Sequence, residues 1–163
     1  MLERLFPRSI DNTYQGHVLA IWLFAPVLAL KTVMGFNVAG LNPFVSNRFI
    51  LTAADGVPVD SYPPEAGAYL VFMFAAWGLA LFVLTLFGWT VLTRYRAMLP
   101  LALLAFTIEQ AGRTAQSRLM LPQRALADEG VPISALINWG LTGALVVALV
   151  LSLIAVRPRL PQG

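Results

Sequence analysis

From Gly67 to Leu92 the chain reads GAYLVFMFAAWGLALFVLTLFGWTVL, 26 residues without a charge. That run limits the folds open to the chain. An α-helix rises about 1.5 Å per residue, and the hydrocarbon core of a bilayer is about 30 Å thick, so about 20 apolar residues cross it. Hydrocarbon offers the backbone no hydrogen-bond partners, and an isolated apolar run satisfies its own N–H and C=O groups only as a helix. Three further predominantly apolar runs lie over 16–36, 97–117 and 131–156. The expected fold is therefore all-α. It is a polytopic membrane protein with four transmembrane helices in one bundle, a single domain over 1–163. Pro26 is expected to kink the first span, and Pro132 sits in the first turn of the fourth, where proline is tolerated.

Composition agrees. Of the 163 residues, 58% are hydrophobic and 12% charged, with mean hydropathy +0.74, whereas soluble domains carry about 25% charged residues. The net charge of +3 does not indicate nucleic acid, because the basic residues flank apolar runs and form no single patch. No cysteine is present, which excludes thiol–disulfide chemistry and thiolate metal sites. His17 is the one histidine, too few for a histidine-rich metal site or a bis-histidine haem. No metal or cofactor is expected. The first run exceeds the usual core of a signal peptide and follows a long head of mixed charge, so it is read as a retained helix.

Orientation follows from arginine. Arg4, Arg8, Arg94, Arg96, Arg157 and Arg159 fall on one side of a four-span chain. The other side has Arg48, and Arg118 and Arg124 beside Asp128 and Glu129. The bias places both termini in the cytoplasm, with Trp89 and Tyr95 at the inner interface and Tyr62 at the outer. Ten arginines against one lysine fit a GC-rich bacterium and hence its inner membrane. The outer loop 37–65 is long. Its strand-like RFILT (Arg48–Thr52) and the Asp55-Gly56 turn signal predict a small β-hairpin-like cap, with an irregular tether as the alternative.

Small residues let helices approach closely in lipid. Gly140, Ala144, Ala148 and Ser152 recur every four residues and mark a contact face, within the bundle or toward a second copy or another membrane subunit. Ala76 and Ala80 have the same spacing.

The informative stretch is LAFTIEQAGRTAQSRLM (Leu104–Met120), where Glu109, Gln110 and Arg113 interrupt the third span. Counted from the inner edge, Lys31 lies about 21 Å deep, Glu109 about 18 Å, Arg113 about 24 Å and Asn138 about 20 Å. These residues share a layer in the outer half of the membrane, within reach of Tyr69. Glu109 and Arg113 are at i and i+4 and share a face, which Gln116 and Ser117 extend. A lone charge in the bilayer centre costs about 3 kcal/mol, so such residues pair inside the bundle. Alternatively, Lys31 and Arg113 snorkel to the head groups.

Lys31, Glu109, Gln110, Arg113, Asn138 and Tyr69 are thus the candidate ligand-binding residues. Three functions fit them. The first is a non-enzymatic accessory or transport-related protein binding a small polar or anionic ligand, a lipid head or a partner helix. The second is a membrane-embedded enzyme with Glu109 as acid/base and Arg113 or Lys31 stabilising an oxyanion. The third is a structural subunit of a membrane complex.

Overall fold

The computed structural model describes residues 2–55, 57–120 and 133–154. Among them the chain is helical, with no strand. The helices are α1 (Leu2–Leu5), α2 (Leu19–Val38), α3 (Asn47–Asp55), α4 (Pro64–Arg94), α5 (Leu99–Met120) and α6 (Ile133–Leu153), with short 3-10 turns at Val59–Ser61 and Arg96–Met98. Arg124, Asp128, Glu129, Val131, Pro132, Arg157 and Arg159, and the side chains of Ser117 and Arg118, lie outside the described residues.

Among the described residues, three helices are long and apolar enough to cross a membrane: α2, α4 and the 136–153 part of α6. The α5 helix is long enough, but Glu109, Gln110 and Arg113 dilute its apolar character. Much apolar surface faces outward, including Phe72, Met73, Leu79, Val83 and Leu86 on α4. Water tolerates few patches of that extent on a monomer, whereas lipid accepts them. Proline sits where a helix loses least. Pro64 opens α4 and Pro100 is the second residue of α5, positions whose N–H groups have no intrahelical acceptor. Pro26 instead lies inside α2, which continues through it.

The chain divides into two compact units, Met1–Val27 with Thr90–Gly163, and Leu28–Trp89. In the first, α5 packs along α6. Leu99, Ala102, Leu103, Phe106 and Gln110 form the buried face of α5, and Leu145, Ala148 and Ser152 that of α6. Phe24 of α2 meets Phe106 edge to face, ring centroids 5.2 Å apart, a geometry that favours the aromatic quadrupoles. The head of the chain closes one end of this unit. The last carbonyls of a helix lack intrahelical donors, and here two find them: Arg4 donates to Leu153 O at 2.9 Å, and His17 N–H to Leu151 O at 3.1 Å. A guanidinium at a helix C-terminus also complements the helix dipole. Gly16 permits the approach, since a Cβ there would stand 2.4 Å from Ser152 O. His17 Nδ1 accepts the Leu19 N–H at 3.2 Å at the start of α2. The Ala97 N–H donates to Asp11 O, tying the head to the start of α5 as well.

In the second unit the end of α2 crosses α4 through two glycines. A Cβ on Gly78 would lie 2.4 Å from Ala39 N, and one on Gly35 2.8 Å from Phe82 N. Trp89 Nε1 donates to Thr32 Oγ1 at 2.9 Å on the same pair of helices. The α4 contact thus runs through Gly78, Leu81, Thr85 and Gly88, all buried, while Ala76 and Ala80 are exposed.

Among the described residues no β-hairpin-like cap forms: Arg48–Thr52 belong to α3, and Gly56 of the expected turn lies outside them. Ser46 explains the difference. Its hydroxyl accepts the Phe49 N–H at 3.2 Å and so caps the helix. Side-chain period decides the rest: Leu51 turns inward while Phe49 and Thr52 stay exposed, a helical rather than an alternating pattern. The Val57 N–H bonds Leu51 O, Arg48 pairs with Asp60, and Val59 is buried. Among its described residues the loop between α2 and α4 thus holds one α-helix, α3, with irregular segments on either side.

Candidate functional site

Helix α5 places Glu109, Gln110 and Arg113 within one turn, and α6 places Asn138 against them. Gln110 is fully buried. Its Nε2 donates to Asn138 Oδ1 at 3.2 Å and to Asn138 O at 3.4 Å. Arg113 donates from one terminal nitrogen to Gln110 Oε1 and to Asn138 Oδ1, each at 3.0 Å. Its Nε stands 3.7 Å from Glu109 Oε1, an ion pair with side chains 27% and 21% exposed. Asn138 Oδ1 is thus a shared acceptor for an amide and a guanidinium, and the three residues close a ring of bonds between two apolar helices. An amide orients readily for this role because one end accepts while the other donates.

Four sequence-predicted residues therefore come together: Glu109, Gln110, Arg113 and Asn138. Lys31 belongs to the second unit and is 1% exposed. Its ammonium does not snorkel along a lipid-facing surface. Tyr69, also in that unit, is 71% exposed. Gln116 is exposed on α5. The small-residue stripe of α6 divides: Ala148 and Ser152 are buried, while a Cβ on Gly140 would meet open space.

Two threonines were not singled out from the sequence. Thr114 donates to Gln110 O at 2.8 Å, and Thr142 to Asn138 O at 2.8 Å. Each lies four residues after a member of the network, the spacing at which a helical threonine reaches back to a carbonyl. Both also line an open groove, together with Ala111, Ala115, Trp139 and Gly143. The groove is mostly apolar, and its Ala111, Thr114 and Trp139 directly follow Gln110, Arg113 and Asn138 in the chain. An apolar groove thus lies beside the hydrogen-bonded residues.

Among the described residues, no group of three His, Asp or Glu side chains is placed to hold a metal. Outside the spans, two groups of the head have shifted acidity. The Thr13 hydroxyl and N–H donate to the Asp11 carboxylate and hold its pKa below the usual value. Burial pushes the Tyr14 phenol up to about 12, and its OH donates to His17 O at 3.2 Å. Comparison with protein-family models, curated proteins and solved structures finds no match to this chain.

Proposed function

We infer that the chain is a small non-enzymatic protein of the bacterial inner membrane. In this reading α2, α4, α5 and α6 are its four spans, and both termini are cytoplasmic. Its role is accessory or transport-related, and the polar layer on α5 and α6 binds a polar or anionic head group in the outer half of the bilayer. The observation that carries this reading is the pairing of Arg113, a partly accessible cation held by two amide oxygens, with an apolar groove that its neighbour Thr114 lines. Guanidinium suits phosphate, which it contacts through several N–H donors. The groove suits an acyl chain. A phospholipid has both parts and is the ligand the bilayer supplies in excess. Glu109 would accept from an ammonium or hydroxyl on the same head. Lys31 and Tyr69 stay in the proposed layer on depth alone. Among the described residues no activated nucleophile accompanies Glu109, so the enzymatic reading ranks lower.

The same small-residue groove favours a second reading, in which it receives a partner helix. Extraction in native lipid discs, followed by identification of what stays bound, separates the two. A retained phospholipid in stoichiometric amount supports the first reading. A stoichiometric protein with no lipid supports the second and rejects the first.

A further inference from the structure

The outer loop carries a surface that the polar layer does not explain. Phe44 is 92% exposed and Phe49 63% exposed, with Leu41 also outward. These side chains are held out by a folded segment. Asn42 Oδ1 accepts the Phe44 N–H, Ser46 caps α3, Arg48 pairs with Asp60, and Leu51 and Val59 take the buried positions. The inward sites of the loop are already filled by smaller aliphatics, while its largest apolar side chains point away. On α3 itself, Phe49, Ile50 and Ala53 share one arc, and Arg48 and Thr52 lie on another. Such a helix suits an interface between apolar and aqueous phases.

We propose that Phe44 and the Phe49 face of α3 insert into the lipid surface of the bilayer that α2 and α4 cross. Continuity selects this occupant. Phe44 follows the end of α2 by six residues, and α3 ends nine residues before α4 begins, so the loop cannot leave the membrane surface by far. Charge separates apolar insertion from electrostatic adsorption. Residues 39–65 contain Arg48 against Asp55, Asp60 and Glu65, a net charge of −2 by sequence. An anionic surface repels that segment, so insertion depends on the aromatic side chains and not on anionic lipid.

The proposal rests on α2 and α4 being membrane spans, and the test separates the two claims. The chain has no cysteine, so Phe49→Cys, Phe44→Cys, Thr52→Cys and Val83→Cys each carry a single nitroxide label without further changes. The labelled full-length proteins are placed in nanodiscs of phosphatidylcholine, with and without phosphatidylglycerol, and probed by electron paramagnetic resonance. Oxygen concentrates in lipid, and a neutral nickel chelate stays in water. Val83, exposed in mid-α4, reports the span. The expected result is an oxygen-to-nickel accessibility ratio at Phe44 and Phe49 several-fold above that at Thr52, equal in both lipid mixtures. A lipid-like ratio at Val83 with water-like ratios at Phe44 and Phe49 overturns the insertion and keeps the span. Low access of both reagents at Phe49 means a protein covers it, a partner or a second copy, and also overturns the proposal. A ratio that needs phosphatidylglycerol does so too. A water-like ratio at Val83 rejects the spanning helix itself.

Discussion

Arg113 on α5 donates to Oδ1 of Asn138 on α6 at 3.0 Å, and the same oxygen accepts from Gln110 Nε2 at 3.2 Å. One amide oxygen thus joins a cation and an amide across the two helices. Interhelical hydrogen bonds within membranes couple by about 0.6 kcal/mol on average and up to about 1.7. This bond has a charged donor and a shared acceptor, so a double-mutant cycle of Arg113→Met and Asn138→Leu should give about 1 kcal/mol of coupling. Thermal unfolding of the four proteins in detergent measures it. Strict additivity would mean the bond does not hold the helices.

Glycines differ sharply in what they tolerate. Gly78→Ala places a methyl 2.4 Å from the backbone of Ala39 and should cost about 1–3 kcal/mol or prevent folding. Gly140→Leu faces open space and should change detergent stability by less than about 0.5 kcal/mol. Comparing the two melting temperatures checks both. If Gly140→Leu is the more damaging, the exposed part of the α6 stripe is covered by another helix.

The Tyr14 phenol predicts an alkaline limit for the head of the chain. Its folded pKa is raised from 10.0 to about 12. A raised value means that the folded state keeps the proton longer than the unfolded state. The contribution to stability is complete below pH 10 and is lost as pH rises toward 12. A tyrosinate absorbance titration of wild type minus Tyr14→Phe should show one phenol ionising near pH 12. A difference centred on pH 10 would show that Tyr14 is in water.

Topology gives a further check. Under the proposed orientation, a reporter fused after Gly163 should be active only in its cytoplasmic format, and one inserted near Asp55 only in its periplasmic format. The reverse at either site rejects four spans with both termini inside.

The apolar runs were legible because a membrane helix is written in composition: the expected spans at 16–36 and 67–92 lie within a few residues of α2 and α4. Glu109 and Arg113 were legible because charge inside such a run has to be compensated. Depth put Asn138 in one layer with Glu109 and Arg113, but its pairing with Gln110 appears only where α5 meets α6. The α3 helix was not legible, since Phe, Ile, Leu and Thr favour strands, while the helix relies on a Ser46 cap and an inward Leu51 that only the folded loop displays. Gly35 and Gly78 were hidden for another reason. Neither belongs to a regular small-residue stripe, and only the crossing of α2 with α4 gives them a role. The closure by Arg4, Gly16 and His17 depends on contacts more than 130 residues apart in the chain, which no local pattern encodes.

The central claim is that Arg113 and its amide partners hold a phospholipid head group. Native mass spectrometry of the full chain, titrated with a defined phospholipid, tests it most directly when wild type, Arg113→Gln and the groove variant Gly143→Leu are compared at matched thermal stability. The account predicts one lipid bound per wild-type chain, affinity at least about tenfold weaker in Arg113→Gln, a loss of about 1.4 kcal/mol, and weaker binding in Gly143→Leu with the polar ring intact. Equal lipid retention by all three proteins, or none by wild type, would contradict it.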